Sequence, residues 1–291
     1  MISSAPVSGS FPDTVGVIAG SGQLPFLVAQ AVRRQPGTRL VVAAHKNETD
    51  PDLVAGADAG IWIRLGQFKK VIRFFRQQNV KWVVMGGGIA KVGIWQMRPD
   101  ALALKVAARL KHWHDDHLLR AIADEIERHG FELKGAGELV PEILAPKGIL
   151  TRARPTDVQW RDVRLGWQAA KTLGALDVGQ GVVVREQVVL AVEAIEGTDA
   201  MIDRAGAYTG GKGVLVKVSK PGQDQRLDLP SIGPRTIEKL SAAGITVLAM
   251  EAGRTMILET ETTLLAADAA GLVLLGCDDQ EMAAAQDADA G

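Results

Sequence analysis

Two strings in the second half of the chain carry the densest polar chemistry. Glu193-Ala-Ile-Glu196-Gly197-Thr198-Asp199 follows one β-like run, and Lys217-Val-Ser-Lys220-Pro221-Gly222-Gln223-Asp224-Gln225-Arg226-Leu227-Asp228 follows another. Carboxylates so placed suit a hard cation, and the neighbouring lysines and arginines suit phosphate oxygens. Mg2+ takes one or two protein carboxylates and leaves its other positions to water and substrate phosphate. The constellation fits attack of water on a phosphoanhydride, where the protein supplies position and charge neutralisation. The competing reading is a surface loop whose charges pair with one another.

Two glycine turns in the first half suit phosphate in another way. Gly20-Ser21-Gly22 lies where a short apolar run meets a helical pattern, and Gly86-Gly87-Gly88 follows a second such run. Backbone N–H groups and a helix dipole can hold an anion at such a point, although any tight turn between strand and helix uses glycine. Position 25 is Pro, so the third glycine of the dinucleotide fingerprint is absent. Between Arg64 and Lys111 the only acid is Asp100, against eleven basic residues. Within that stretch Phe68, Val71, Ile72 and Phe75 make an apolar stripe, with Lys69, Lys70, Arg73 and Arg76 on the other side. The stripe reads as a surface helix packed on a sheet, or as a basic face drawn to anionic lipid or phosphate. His112, His114 and His117 surround Asp115 and Asp116. They read as solvated residues of a helix start, with a metal site as the less favoured alternative.

The elements that would position these groups follow from hydrophobic periodicity. Short apolar runs at Val15–Ala19, Leu40–Ala44, Ile61–Leu65 and Trp82–Met85 alternate with helical spacing at Leu24–Gln35 and Phe68–Gln78, and a polar loop surrounds Asn47 to Asp52. This alternation predicts a parallel sheet covered on both faces. Helices over Asp100–Lys111 and Asp115–His129 complete a first domain, residues 13–134. Residues 135–155 read as a connector, with a short helical piece between Gly135 and Gly148. A mixed α/β domain, 156–277, then has a helix at Asp157–Leu173 capped by Thr156 or Asp157, and a hairpin around Arg185-Glu186-Gln187. Strands are predicted at Gly213–Val218, Ile245–Met250, Arg254–Leu258 and Leu272–Leu275, and helices at Pro234–Ala243 and Glu261–Ala270. The tail, residues 278–291, holds five acids and no base and is expected to be disordered.

The 291 residues carry a formal charge of −1, so nothing marks a nucleic-acid binder, and 47% hydrophobic residues are enough for a packed core. The single cysteine, Cys277, excludes an internal disulfide and a cysteine-based zinc site, and fits a reducing compartment. No run approaches the length of a membrane span, and residues 1–12 lack a signal-peptide pattern, so a cytoplasmic protein is expected.

Several strings resemble those of the LpxI-type UDP-2,3-diacylglucosamine pyrophosphatases. They are Val17-Ile-Ala-Gly20-Ser-Gly22-Gln-Leu-Pro25, Asp177-Val-Gly-Gln180, Glu193-Ala-Ile-Glu-Gly-Thr198-Asp199-Ala-Met201, Lys220-Pro-Gly-Gln-Asp224, Asp228-Leu-Pro-Ser-Ile-Gly233-Pro, and Glu251-Ala-Gly253-Arg254-Thr255. The similarity runs through residues 14 to 276. It implies an α/β protein with an N-terminal Rossmann-like parallel-sheet domain and a C-terminal mixed α/β catalytic domain. The implied activity belongs to lipid A synthesis in Gram-negative bacteria: Mg2+-dependent hydrolysis of UDP-2,3-diacylglucosamine to UMP and 2,3-diacylglucosamine 1-phosphate. Carried onto this chain, Asp224 and Asp228 are the candidate catalytic carboxylates, with Asp224 slightly favoured. Glu193, Glu196, Asp199 and Asp224 are the candidate metal side. Gly20, Ser21, Gly22, Gly86, Gly87, Gly88, Thr198, Lys217, Lys220, Gln223 and Arg254 are the candidate substrate contacts.

A diacylated substrate gives the basic helix a use, because the enzyme must meet it peripherally at the inner membrane surface. The sequence leaves open a homo-oligomer. Two other classes compete: a nucleotide-cofactor oxidoreductase, weakened by the missing third glycine, and a nucleotide-lipid binding protein without catalysis, which leaves the carboxylate-rich loop without a purpose.

Overall fold

The computed structural model describes residues 11–89, 99–108, 115–227 and 229–289. The chain divides into two compact units, residues 1–142 with 224–228, and residues 143–223 with 229–291.

The first unit holds a five-stranded, wholly parallel sheet. Its strands are β1 (Thr14–Ala19), β2 (Arg39–His45), β3 (Ala59–Ile63), β4 (Trp82–Gly86) and β5 (Glu132–Lys134), in the order β3-β2-β1-β4-β5. All six residues of β1 are buried, as a central strand covered on both faces requires. Around the sheet run α1 (Leu24–Arg33), α2 (Pro51–Ala55), α3 (Phe68–Gln77), α4 (Ala101–Ala107), α5 (Asp115–Arg128) and α6 (Ala136–Leu139). Helix α3 buries Val71, Ile72 and Phe75 and leaves Lys69, Lys70, Arg73 and Arg76 exposed. One face of the core joins Ile18, Val41, Val83 and Leu133 of the strands to Ile72, Phe75, Ile122 and Ile126 of the helices.

The second unit holds a six-stranded mixed sheet. It comprises β6 (Gly148–Ile149), β7 (Gly181–Arg185), β8 (Val188–Val192), β9 (Gly213–Lys217), β11 (Ile245–Glu251) and β13 (Val273–Cys277), in the order β6-β13-β11-β9-β7-β8. Strands β9, β11 and β13 are parallel, while β6, β7 and β8 are antiparallel to their neighbours. The hairpin turns at Glu186 and Gln187, both at positive φ, and Asp162 accepts both of their amide N–H groups. A two-residue turn of that twist joins antiparallel strands without splaying them. Strands β10 (Ser231–Ile232) and β12 (Met256–Ile257) form a separate parallel pair. The helices are α7 (Asp157–Ala175), α8 (Thr198–Thr209), α9 (Pro234–Ala242), α10 (Thr260–Ala269) and α11 (Asp279–Asp289). Thr156 and Gln159 close a capping box at the start of α7. Gly166 lets α7 lie against Val216, since a Cβ there would sit 2.6 Å from its methyl group.

Several expectations change. The short helical piece expected in the connector is α6, and the division between the units falls inside the connector, between Glu142 and Ile143. The tail expected to be disordered forms α11, because Met282 is buried in the core beside Trp167 and Asp279 accepts the Trp167 indole N–H at 2.8 Å. The loop around Asn47 to Asp52 contains the start of α2, with Asp50 as its cap and Pro51 in its first turn. The extended piece at Arg254–Leu258 shrinks to the two residues of β12, and β5, β6 and β10 are additional short strands. Residues 224–227, assigned by sequence to the C-terminal domain, belong to the N-terminal unit. Arg226 pairs with Glu127 at 2.6 Å and Leu227 packs against the N-terminal core.

Candidate active site

The two glycine turns sit at the carboxyl ends of β1 and β4, adjacent central strands, and they bond to each other. Gly20 N–H donates to Gly86 O at 2.8 Å, Ser21 N–H to Gly88 O at 2.8 Å, and Gly88 N–H to Ser21 O at 3.0 Å. The Ser21 hydroxyl also donates to Gly88 O, at 3.0 Å. A Cβ at Gly20 would run into the Gly88 carbonyl oxygen, and one at Gly87, at φ +90°, into that of Ser21. Close approach of two backbones is therefore one reason for these glycines. Three of the six N–H groups expected to face phosphate are engaged across the pair, and Gly22 lies exposed just before α1.

In the second unit the carboxyl ends of β9 and β11 and the adjoining ends of β7 and β8 line up along one edge. Gly181 pairs with Lys217, Lys217 with Met250, and Glu251 with Cys277. Ligands in open α/β sheets sit outside the carboxyl ends of parallel strands. This edge carries Glu193, Lys217, Ser219 and Glu251, all of them buried. Glu193 Oε1 accepts the Thr198 hydroxyl at 2.7 Å, and its Oε2 is buried with no donor. Lys217 donates to Ser231 O at 2.9 Å. Glu251 accepts from the Ser219 amide at 2.8 Å and pairs with Lys171 at 2.9 Å and Arg254 at 3.3 Å. Gln180 Oε1 and the Thr255 hydroxyl are likewise buried without partners.

The loop beyond β9 is tied down residue by residue. Gln223 Oε1 accepts from the Ser219 hydroxyl at 3.2 Å and the Lys220 amide at 3.1 Å, and the Lys220 ammonium meets Asp177 at 2.7 Å. Asp224 then enters the N-terminal unit. Its Oδ1 accepts from Arg226 Nε at 3.0 Å and its Oδ2 from Arg226 Nη2 at 2.8 Å. The guanidinium holds the Asp224 carboxyl below the usual carboxylate range, with lesser help from the Arg226 amide and from Arg120. Arg226 is held charged in return, chiefly by Asp224 and then by Glu127.

Of the carboxylates expected on the metal side, Glu196 pairs with Arg204 at 2.7 Å, Asp199 with Arg235 at 3.2 Å, and Asp224 with Arg226 at 2.8 Å. Among the described residues no group of three or more His, Cys, Asp or Glu side chains could hold a metal ion. Of the four, Glu193 offers a buried oxygen without a donor, and one carboxylate is within what Mg2+ requires when water and phosphate complete its shell. Asp228, His112 and His114 lie outside the described residues. Glu251, Ser219 and Lys171 had no role in the sequence reading. Their signal is a glutamate ending an otherwise apolar strand, Ile245 to Met250. Burial pushes the Cys277 thiol up to about 12, so it is inert near neutrality.

Comparison with known proteins bears on both units. The model of the LpxI N-terminal domain matches residues 14–143, and that of the LpxI C-terminal domain matches residues 146–275. A relative from Caulobacter vibrioides, named UDP-2,3-diacylglucosamine pyrophosphatase LpxI, is 38% identical over 280 residues, 92% of this chain and 98% of its own. Among solved structures the chain is distantly similar to a biotin carboxylase complex from Campylobacter jejuni, with 11% identity, 67% of this chain and 42% of that one covered, and a TM-score of 0.27. It is equally distant from an L-threonine dehydrogenase of Phytophthora infestans, with 10% identity, 50% and 41% covered, and a TM-score of 0.26. With both domain models matched in order and the Caulobacter relative aligned almost from end to end, the chain belongs to the LpxI family.

Proposed function

We propose that the chain is a UDP-2,3-diacylglucosamine pyrophosphatase, releasing UMP and 2,3-diacylglucosamine 1-phosphate. The observation that carries this reading is the 38% identity to the Caulobacter enzyme across 98% of that enzyme's length. In the reaction the oxygen of water bonds to one phosphorus, the bridging P–O bond breaks, and the proton of water leaves to solvent.

The residues divide the work. Asp224, ionised and aimed by Arg226, is the catalytic carboxylate. Lys217, Lys220 and Arg254 supply positive charge for the phosphates, and Thr198 orients Glu193. Glu193 is the residue for Mg2+, which when bound neutralises charge on the phosphoanhydride. No helix among the described residues is long and apolar enough to cross a membrane. The exposed bases of α3 provide a peripheral attachment to anionic lipid, at about 1 kcal/mol per residue near the surface.

Mass spectrometry of the products tests the reading. Incubation with UDP-2,3-diacylglucosamine is expected to yield UMP and the lipid phosphate in equal amounts over many turnovers. Binding without turnover, or release of UDP in place of UMP, would refute it.

A further inference from the structure

Glu251 is the last residue of β11, and its side chain is only 4% exposed. A charge so buried persists only where protein partners replace its water. Three groups do so. Oε2 accepts the Ser219 amide at 2.8 Å, while Oε1 meets the Lys171 ammonium at 2.9 Å and the Arg254 guanidinium at 3.3 Å. Ser219 is itself buried, so its N–H depends on the acceptor it has. It also opens the run Ser219-Lys220-Pro221-Gly222-Gln223 that precedes Asp224. Neither Glu251 nor Lys171 is among the residues assigned to metal, phosphate or water.

Lys171 carries the contact outward to the C-terminal helix. From α7 it bridges Glu251 to Asp279 of α11, at 3.4 Å, and lies over the Trp167 ring, 5.4 Å from its centre. The Trp167 indole N–H donates to the same oxygen, Asp279 Oδ1, at 2.8 Å, and Met282 is buried in the core that holds Trp167. The strand register makes this bridge possible. Glu251 stands opposite Cys277, and Ala252 N–H donates to Cys277 O at 2.8 Å, two residues before Asp279. One lysine thus ties α11 to the carboxylate beneath Ser219.

The same end of α7 supports the loop at two further points. Gly174, one turn after Lys171, lets Pro221 approach, since a Cβ there would lie 3.1 Å from its ring. Asp177, at φ +58°, meets the Lys220 ammonium at 2.7 Å. Gln223 closes the loop on itself through Ser219 and the Lys220 amide. Ser219, Lys220 and Pro221 are therefore fixed in turn before any substrate arrives. Phosphoanhydride hydrolysis asks the protein for position and charge, so a rigid loop root raises kcat more than it tightens binding.

We infer that Glu251 is a positioning residue of the hydrolase, clamped by Lys171 and through it by α11, and that it holds Ser219 to Gln223 in their working conformation. Glu251 acts through the loop and not on the substrate. The inference rests on the hydrolase reading and adds to it a buried brace that reaches the C-terminal helix.

The test sets amide hydrogen exchange of the full chain, without substrate, beside steady-state UMP release. Wild type is compared with Glu251→Ala, with Glu251→Gln, which keeps an oxygen for the Ser219 amide, and with Asp279→Asn, which alters an exposed side chain. Glu251→Ala is expected to speed exchange over residues 219–223 about tenfold relative to β1, and to lower kcat about tenfold with KM little changed. Glu251→Gln is expected to recover part of both, and Asp279→Asn to lose about threefold in each. A support of the fold alone would lower the melting temperature while loop exchange and kcat stay at wild-type values in the folded variants. That result would overturn the brace and leave the hydrolase reading standing. Faster loop exchange in Glu251→Ala, in a chain whose wild type releases no UMP, would keep the brace and overturn the hydrolase reading.

Discussion

Asp224 and Arg226, two residues apart, form a two-point ion pair inside the N-terminal unit, with both carboxylate oxygens within 3.0 Å of the guanidinium. A forked pair fixes orientation as well as charge, which a single contact would not. Arg226 is itself anchored by Glu127, 99 residues earlier in the chain, at 2.6 Å. The candidate catalytic carboxylate is thereby held ionised and pointed.

Removing the guanidinium should release that hold. Because Arg226 lowers the Asp224 value, the wild-type carboxyl is expected to titrate below the ordinary 3.8, and Arg226→Ala to bring it back to that value or above, since burial alone raises it. The stability from this pair is present above the ordinary carboxylate value and is lost as the pH falls through the lowered one. Carboxyl 13C titration of Asp224 in both proteins reads the shift directly, and identical curves would show that Arg226 does not set it.

The orphan oxygen of Glu193 leads to a metal prediction. Glu193→Gln keeps an oxygen for Thr198 but removes the negative charge, so the Mg2+ concentration for half-maximal rate should rise at least about tenfold. Chelation should abolish wild-type turnover, and added Mg2+ should restore it. A variant with an unchanged Mg2+ requirement would remove Glu193 from the metal.

Only part of this arrangement was legible in the sequence. Runs of Val, Ile and Ala bounded by glycine located β1, β2, β7, β8 and β9 closely, because buried strands need continuous apolar residues and sharp exits. Helix α7 was equally plain, from Thr156 at its cap through its amphipathic length. Helix α2 reads as a polar loop in the sequence although Asp50-Pro51 is a start signal, since only one turn follows it. The tail misled by composition: its alanines and acids look unstructured, and Met282 anchors the helix through contacts that lie far away in sequence. The ion pairs of the metal-side candidates were hidden for a related reason. Glu193, Glu196 and Asp199 are close in the chain, but the arginines that pair with two of them, Arg204 and Arg235, lie further along it. Nor could any local pattern place residues 224–227 with the first unit, because Glu127 and the core under Leu227 are tertiary neighbours.

His45 makes the stability of the first unit depend on pH. Burial lowers its value below the ordinary 6.5, with Glu48 opposing weakly, so the native state holds a neutral imidazole. Below 6.5 the unfolded chain binds the extra proton, so stability is full above about that pH and is lost as the pH falls through the lowered native value. Urea midpoints should therefore drop between pH 7.5 and 5.5, and less so in His45→Asn. Equal drops in the two proteins would assign the effect elsewhere.

The exposed face of α3 should govern attachment to lipid. Reversing the charge of Lys69, Lys70, Arg73 and Arg76 together is expected to abolish co-sedimentation with anionic vesicles at physiological salt, while wild-type binding falls as salt is raised. Vesicle binding that persists after reversal would rule out this helix as the contact.

The central claim is hydrolysis of a nucleotide-lipid pyrophosphate by a chain whose catalytic carboxylate is Asp224, and steady-state UMP release by wild type beside Asp224→Asn tests it most directly. Wild type is expected to turn over UDP-2,3-diacylglucosamine repeatedly, and the folded variant to lose at least about 10²-fold in kcat. Full activity in Asp224→Asn, or no UMP from wild type with Mg2+ present, would contradict the account.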